Sequence, residues 1–275
     1  MRRQEVAAPV TSNGATALDV AIAAAREAGA LARRRFYEAK EVSLKGARDL
    51  VTDVDLAVER GLRETLSRAF PGIGVQGEEL GAAGAGQERW IVDPIDGTRN
   101  YAAGIPHFCV NIALARDDAV LVGVTYDPMR DELFTSALGQ GTFLNGRPIG
   151  VSKKRSVAEC ILSFDISSMN PKALQAFALV RGLWPGMQSV RIMGSSALGL
   201  AYAACGRVDL YFHHSLWPWD VASGLLLVRE AGGEVVERGT GKPAGLSPKG
   251  VLASSKPLLE EFLALTKDEA WHRTE

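Results

Sequence analysis

What this sequence lacks first of all is an excess of charge of one sign. Its 275 residues hold 31 Lys+Arg against 32 Asp+Glu, a formal net charge of −1, so it has no polyelectrolyte footprint for nucleic acid or anionic lipid. Cysteine is scarce: Cys109, Cys160 and Cys205 are widely separated and odd in number, which argues against a disulfide framework or a zinc site. No apolar run approaches the roughly 20 residues that span a bilayer, and Arg2-Arg3 is not followed by the apolar core of a signal peptide. A soluble, cytoplasmic protein with neither nucleic acid nor membrane as partner is expected. With 47% hydrophobic and 23% charged residues the composition is that of a globular protein, not a disordered, collagen-like or coiled-coil chain.

Residues 1–15 read as a loose leader. Thr16-x-x-Asp19 can cap a helix, and Leu18, Ile22, Ala25, Gly29, Ala32 and Phe36 follow on one helical face that runs to about Tyr37. Val58, Leu62, Leu66 and Phe70 predict a second helix, ended by Pro71-Gly72. The connection 42–55 is too polar to be core. From residue 90 the period becomes strand-like, with runs at 90–92, 109–115, 120–126, 133–136 and 141–144 and turns at 116–118 and Asn145-Gly146. An antiparallel sheet beside the two helices follows. Beyond 152, strands at 160–164, 190–193, 208–212, 235–236 and 251–254 alternate with helices at 171–183, 196–205, 218–231 and 257–265, the pattern of an α/β layered arrangement. Residues 81–86 form a low-complexity loop too short to separate domains. A single domain over 16–268 is expected, divided into halves 16–152 and 153–268, with a tail at 269–275.

The stretch Trp90-Ile-Val-Asp-Pro-Ile-Asp-Gly-Thr98 carries the most chemistry. An apolar strand running into Asp93 and Asp96 throws two carboxylates off its end, where open α/β sites commonly sit. Oxygen ligands at that spacing, with a backbone carbonyl between them, suit a hard divalent cation; an Asp-Gly turn closing a strand is the plainer alternative. Further acids stand at Gly77-Glu78-Glu79, at Asp49-Leu-Val-Thr-Asp53-Val-Asp55 and at Trp217-Pro-Trp219-Asp220. Each alone has a bland reading: a solvated pair, a favourable helix N-terminus, a plain cap.

Taken together, and with Lys45, Gly194-Ser195-Ser196, Val221-Ala222 and Glu230-Ala-Gly-Gly233, these motifs resemble the inositol monophosphatase family of metal-dependent, lithium-sensitive phosphatases, in the family's order and spacing from about residue 16 to 265. The resemblance implies the alternating α-β-α-β-α sandwich of the sugar-phosphatase type. It implies two or three Mg²⁺ ions, with Mn²⁺ an alternative. Glu78, Asp93 and the Ile95 carbonyl would bind the first, and Asp93, Asp96 and Asp220 the second, while a third would lie near Glu78. The amides of Gly97 and Thr98 would hold the phosphate, and Gly194, Ser195 and Ser196 would touch the organic part of the substrate. Water on the first metal would be oriented by Thr98 coupled to Asp53, making Asp53, Thr98 and Glu78 the catalytic set. Lys45 and Glu79 would be accessory, the former on a mobile loop with Asp49 and Asp53. Two cations sharing a carboxylate meet the demands of a very slow hydrolysis, and no nucleophilic Cys or Ser motif proposes a phosphoenzyme.

One departure concerns the substrate. Where animal members of the family place a glutamate against ring hydroxyls, this sequence has His213, which cannot accept at two oxygens and is able to carry positive charge near neutral pH. Inositol 1-phosphate or a similar small polyol phosphate is the leading substrate. Histidinol phosphate, 3′-phosphoadenosine 5′-phosphate and fructose 1,6-bisphosphate stand as alternatives, since substrate choice rests on loops. No cluster for an adenine or a second anion is evident in the sequence. His107 reads as structural, Arg99 as a cation near the phosphate, and Trp217 and Trp219 as core. A regulatory protein on the same fold is the reading from a different class. By resemblance the protein would be a homodimer.

Overall fold

In the computed structural model, which describes residues 8–45, 50–84, 86–166 and 171–273, reciprocal capping boxes start the first two helices. Thr16 and Asp19 cap α1 (Ala17–Arg35) as the sequence predicts, and Thr52 and Asp55 cap α2 (Asp53–Ala69) in the same manner. A hairpin of β1 (Val42–Leu44) and β2 (Leu50–Thr52) lies between them. Then follow β3 (Gly74–Gly77), β4 (Gly81–Ala83), β5 (Glu88–Asp96), the short helix α3 (Thr98–Ala102), β6 (Cys109–Arg116), β7 (Ala119–Asp127), β8 (Glu132–Ala137), β9 (Thr142–Leu144) and β10 (Arg147–Pro148). The second half runs β11 (Ile161–Asp165), α4 (Pro171–Leu183), β12 (Ser189–Arg191), α5 (Ser196–Ala204), β13 (Leu210–His213), α6 (Pro218–Glu230), β14 (Glu234–Glu237), β15 (Val251–Ser254) and α7 (Lys256–Thr266).

Eight strands in the order β10-β9-β8-β7-β6-β5-β3-β4 make one sheet, antiparallel except where β3 runs beside β5. Five more, β12-β11-β13-β15-β14, make a mixed sheet with β11 parallel to both neighbours. Side chains along β5 and β6 alternate between two cores. Trp90, Val92, Ile112 and Leu114 pack with α1 and α2, whereas Ile91, Cys109, Ala113 and Ala115 pack with α5 and α6. Because both faces are covered, these strands read as unbroken apolar runs rather than as alternating ones. Helices α4 and α7 close the outer face of the smaller sheet through Leu179 and Phe262 on Phe164 and Phe212. The layers are therefore helix, sheet, helix, sheet, helix, as expected.

Four details differ from expectation. The buried line of α1 is Ala17, Ala21, Ala24, Ala25, Ala28, Gly29 and Ala32, with Leu18 and Ile22 at its margin. Small residues let this backbone lie close to the sheet, and a Cβ at Gly29 would stand 2.5 Å from the Tyr126 ring. The polar connection 42–55 does reach the interior, since Thr52 and Asp55 are buried. Part of the 81–86 loop is strand, Gly81–Ala83, paired antiparallel to β3. Within the expected tail, Trp271 is buried with its ring 4.8 Å from that of Phe212.

Candidate active site

Two residues an odd number apart on a regular strand face opposite ways, so Asp93 and Asp96 would normally diverge. The pairing of β5 with β6 instead matches Asp93 to Asn111 and Asp96 to Cys109, with a shift of register between them. Three steps on one strand span two on the other, which is a β-bulge. Pro94 sits in that interruption, where its missing N–H costs no ladder bond. The bulge turns both carboxylates toward one cleft of about 620 Å³, which Glu78, Thr98, His213 and Asp220 also line. The strand thus runs through Asp96 rather than stopping short of the acids.

Asp220 is the third residue of α6 and accepts a hydrogen bond from the Trp217 amide at 2.7 Å. One oxygen each of Asp93, Asp96 and Asp220 can be chosen so that all lie within 4.8 Å of one another. Burial, then the charges of Glu78, Asp96, Asp220 and Asp55, push the Asp93 carboxyl well above the usual carboxylate range. Burial raises Asp96 as well, opposed by the hydrogen bonds it accepts. Convergent, buried, mutually repelling oxygen donors fit a hard divalent cation, whose charge would relieve that repulsion.

The supports of these carboxylates are as informative as the acids themselves. Asp96 accepts from the hydroxyls of Ser195 and Ser196, the latter at 3.1 Å, and from the Ala197 amide at 2.8 Å. Ser195 is buried, donates to Asp96 and does not line the cavity. Asn111 donates to the Trp219 carbonyl at 2.6 Å and accepts from Thr125, which is 2.8 Å from Ser223 on α6. That buried polar chain ties the start of α6, and so Asp220, to the large sheet. Asp165, held up at about 6 by burial, accepts from the amides of Met193 and Gly194 at 2.8 and 2.6 Å and fixes the turn before Ser195.

Glu78 and Glu79 follow β3. Lys45 donates to Glu78 at 2.9 Å and also to Glu79, while Asp49 lies outside the described residues. The Glu79 side chain is almost fully buried, and burial lifts its carboxyl to about 7, so a solvated surface role does not hold. Glu59 of α2 accepts from the Glu79 and Leu80 amides at 2.7 and 3.1 Å and from Arg63. A Cβ on Gly77 would meet the Glu59 carboxylate at 2.2 Å, which explains glycine there.

The expected coupling of Thr98 to Asp53 is replaced by another. Thr98 Oγ1 faces Asp55 Oδ1 at 3.2 Å and the Ile95 carbonyl at 3.0 Å. Asp53 instead accepts from Arg35 at 2.7 Å and the Glu41 amide at 3.1 Å. The reason is helical: Asp53 is the first residue of α2 and turns toward α1. Asp55 sits at the third position, where the capping box aims it inward. Gly97, with φ 102°, makes the corner between β5 and α3. A Cβ there would meet the carbonyls of His107 and Gly194 at 3.1 and 3.2 Å, so the left-handed turn and the close approach both require glycine.

His213 is buried in the cavity wall, stacked on His214 with centroids 4.9 Å apart, and burial holds its pKa down at about 3. It is therefore neutral, not a cation. Its Nδ1 accepts from the Ser215 amide at 3.1 Å, which leaves the proton on Nε2 as a donor. His107 is buried away from the cavity. Trp217 is 66% exposed and stacks on Trp219, so it is not core; the apolar spacing that suggested core belongs to the helix after it.

A model of the inositol monophosphatase family matches residues 14–270. The chain belongs to the inositol monophosphatase family. It is 38% identical to inositol monophosphatase 2 of Solanum lycopersicum over 262 residues, 92% of this chain and 98% of that protein. It is equally 38% identical to the Nus factor SuhB of Escherichia coli over 257 residues, 92% and 96% of the two chains. Among solved structures, the suhB extragenic suppressor protein of Bartonella henselae superposes with a TM-score of 0.86 at 36% identity, covering 91% of this chain and 98% of the other. The inositol monophosphatase of Thermotoga maritima gives 0.84 at 32% identity, covering 91% and 96%. This member of the inositol monophosphatase family is thereby a phosphoric monoester hydrolase with a layered α+β fold. No helix among its described residues is long and apolar enough to cross a membrane.

Proposed function

We propose that the protein hydrolyses small polyol phosphate monoesters with Mg²⁺, inositol 1-phosphate foremost, and that it does so as a cytoplasmic homodimer. What carries this reading is the convergence of Asp93, Asp96 and Asp220 within 4.8 Å, in one cavity with Glu78 and the Gly97-Thr98 corner. Asp93, Asp96, Asp220, Glu78 and the Ile95 carbonyl would hold two or three divalent ions. Such ions supply Lewis acidity toward the phosphoryl and leaving oxygens.

The chain's own groups do the rest. The amides of Gly97 and Thr98 bind the phosphate. Asp55, in the place first given to Asp53, accepts the Thr98 hydroxyl proton, and Thr98 Oγ1 then accepts from a water and orients it for in-line attack. Ser195, Ser196 and Ala197 keep Asp96 in position. Neutral His213 donates from Nε2 to a hydroxyl of the alcohol, and Gly194 and Ser196 border the same space. Lys45 neutralises Glu78 and Glu79 beside it.

Phosphate release from inositol 1-phosphate, histidinol phosphate, 3′-phosphoadenosine 5′-phosphate and fructose 1,6-bisphosphate, with Mg²⁺ and with excess chelator, tests the reading. Chelator-sensitive turnover that strongly favours one ester is expected. Silence on all four would overturn it and move the weight to a regulatory protein, the second reading, which the similarity to Nus factor SuhB favours.

A further inference from the structure

Asn100 stands where the two halves of the chain meet at the site. It is the third residue of α3 and lines the acidic cavity. Its Nδ2 reaches the carbonyls of His107 and Met193 at 2.8 Å each and that of Gly194 at 3.3 Å. An amide nitrogen carries two protons, which the two short bonds take, and the Gly194 carbonyl shares them. His107 precedes β6 of the large sheet, whereas Met193 lies 93 residues beyond Asn100 in the chain. One side-chain atom therefore joins two segments that only folding brings together.

The turn it grips is held along both edges. The amides of Met193 and Gly194 donate to Asp165 at 2.8 and 2.6 Å, while the carbonyls of the same two residues accept from Asn100. A Cβ on Gly194, where φ is 81°, would come within 3.1 Å of the Asn100 Nδ2. One on Gly97 would meet the carbonyls of His107 and Gly194, two of the three that Asn100 gathers. Glycine at both positions leaves no side chain to set the spacing between the Gly97 corner and the turn, and that task falls to the Asn100 amide. Directly after the turn come Ser195, Ser196 and Ala197, whose two hydroxyls and one amide donate to Asp96.

We propose that Asn100 is a positioning residue of the phosphatase site: by drawing the 193–194 turn against the Gly97 corner, it keeps Ser195, Ser196 and the Ala197 amide on Asp96 and so sets the affinity of the site for its divalent ions. The proposal rests on the reading of Asp96 as one of their ligands. Asparagine suits the task, because it adds no charge to an acidic cavity and donates twice from one atom. An aspartate of the same shape would face three carbonyls with no proton to give when ionised.

The test follows melting temperature, and phosphate release from inositol 1-phosphate, as Mg²⁺ is added to chelator-treated whole protein. Asn100→Ala is expected to raise the Mg²⁺ concentration for the half-maximal effect about tenfold in both measurements, the loss of a hydrogen bond or two to inward-facing carbonyls. Asn100→Asp should match it, and Asn100→Gln, which keeps both protons on a longer arm, should fall between. Should Asn100→Ala fail to give a cooperative urea transition, Asn100→Ser, with one hydroxyl donor, carries the test with a smaller shift in the same direction. Leu179→Ala, in the buried outer core beneath α4, is the control for stability alone: its melting temperature should fall while its Mg²⁺ midpoint stays native. A midpoint unmoved in the folded Asn100 variants, or moved equally by Leu179→Ala, overturns the proposal. Melting that responds to Mg²⁺ without hydrolysis of any ester overturns the phosphatase reading alone, and the melting midpoints still decide the role of Asn100. Native protein whose melting ignores Mg²⁺ overturns both.

Discussion

Exchanging either of two carboxylates, Asp53 and Asp55, which lie two residues apart and so on opposite sides of the same helix, should give opposite results. Asp55 is buried, its carboxyl raised above the usual range by desolvation, and it faces the Thr98 hydroxyl at 3.2 Å. Asp55→Asn keeps an oxygen for the capping box but removes the base that draws the Thr98 proton. General-base assistance is worth roughly 10²–10⁴ in rate, so kcat should fall by about that factor. Stability should hold or rise, because an ionised group no longer has to be desolvated. Asp53 is partly exposed and pairs with Arg35 on α1. Asp53→Asn should leave kcat near the native value and cost a little stability, as surface ion pairs do. The assay is steady-state phosphate release with Mg²⁺ alongside urea unfolding of each variant, with Thr98→Val expected to mimic Asp55→Asn and Thr98→Ser to restore activity. A large kcat loss in Asp53→Asn with little in Asp55→Asn would refute the assignment.

Asp93→Asn should raise the melting temperature in chelator by a few degrees, since it removes a buried carboxylate whose ionised form is opposed by burial and by the charges of Glu78, Asp96 and Asp220; differential scanning with added Mg²⁺ should then stabilise the native protein and not the variant. Glu59→Ala strands the Glu79 and Leu80 amides and Arg63, and urea unfolding should show a loss of about 3 kcal/mol; a loss under 1 kcal/mol would mean that this turn holds itself. His107, buried with neither ring nitrogen hydrogen-bonded, is held at about 4. Its folded pKa lies below the unfolded 6.5, so the unfolded chain binds the extra proton, and the associated stability is present above pH 6.5 and lost as pH falls toward 4. His107→Phe should flatten that part of the urea-midpoint profile, and an unchanged slope would assign the acid sensitivity elsewhere.

The sequence made the acids legible because their residue types are rare in apolar runs: Asp93 and Asp96 break a strand, and Glu78 follows one. It made the layers legible through period, since 109–115 reads apolar throughout and two cores use its alternate residues. It did not show the bulge at Pro94-Ile95, which depends on how β6 pairs with β5. Nor did it separate Asp53 from Asp55, because the difference lies in which helical position faces inward. The signal for that was present: Thr52-x-x-Asp55 is a capping box of the same form as Thr16-x-x-Asp19. Glu59, one turn beyond Asp55 and flanked by Val58 and Leu62, was likewise a carboxylate on an apolar helical face, which calls for a buried partner. Asp165 and Asn111 left no such trace, since their partners are backbone groups brought near only by folding.

The most direct measurement is phosphate release from inositol 1-phosphate as Mg²⁺ is titrated into chelator-treated native protein and Asp93→Asn. Turnover is expected to rise from zero with Mg²⁺ in the native protein and to stay near zero in the folded variant if Asp93 helps hold the ions. Turnover that is independent of Mg²⁺, or is kept by Asp93→Asn, would contradict a metal-dependent site built on Asp93.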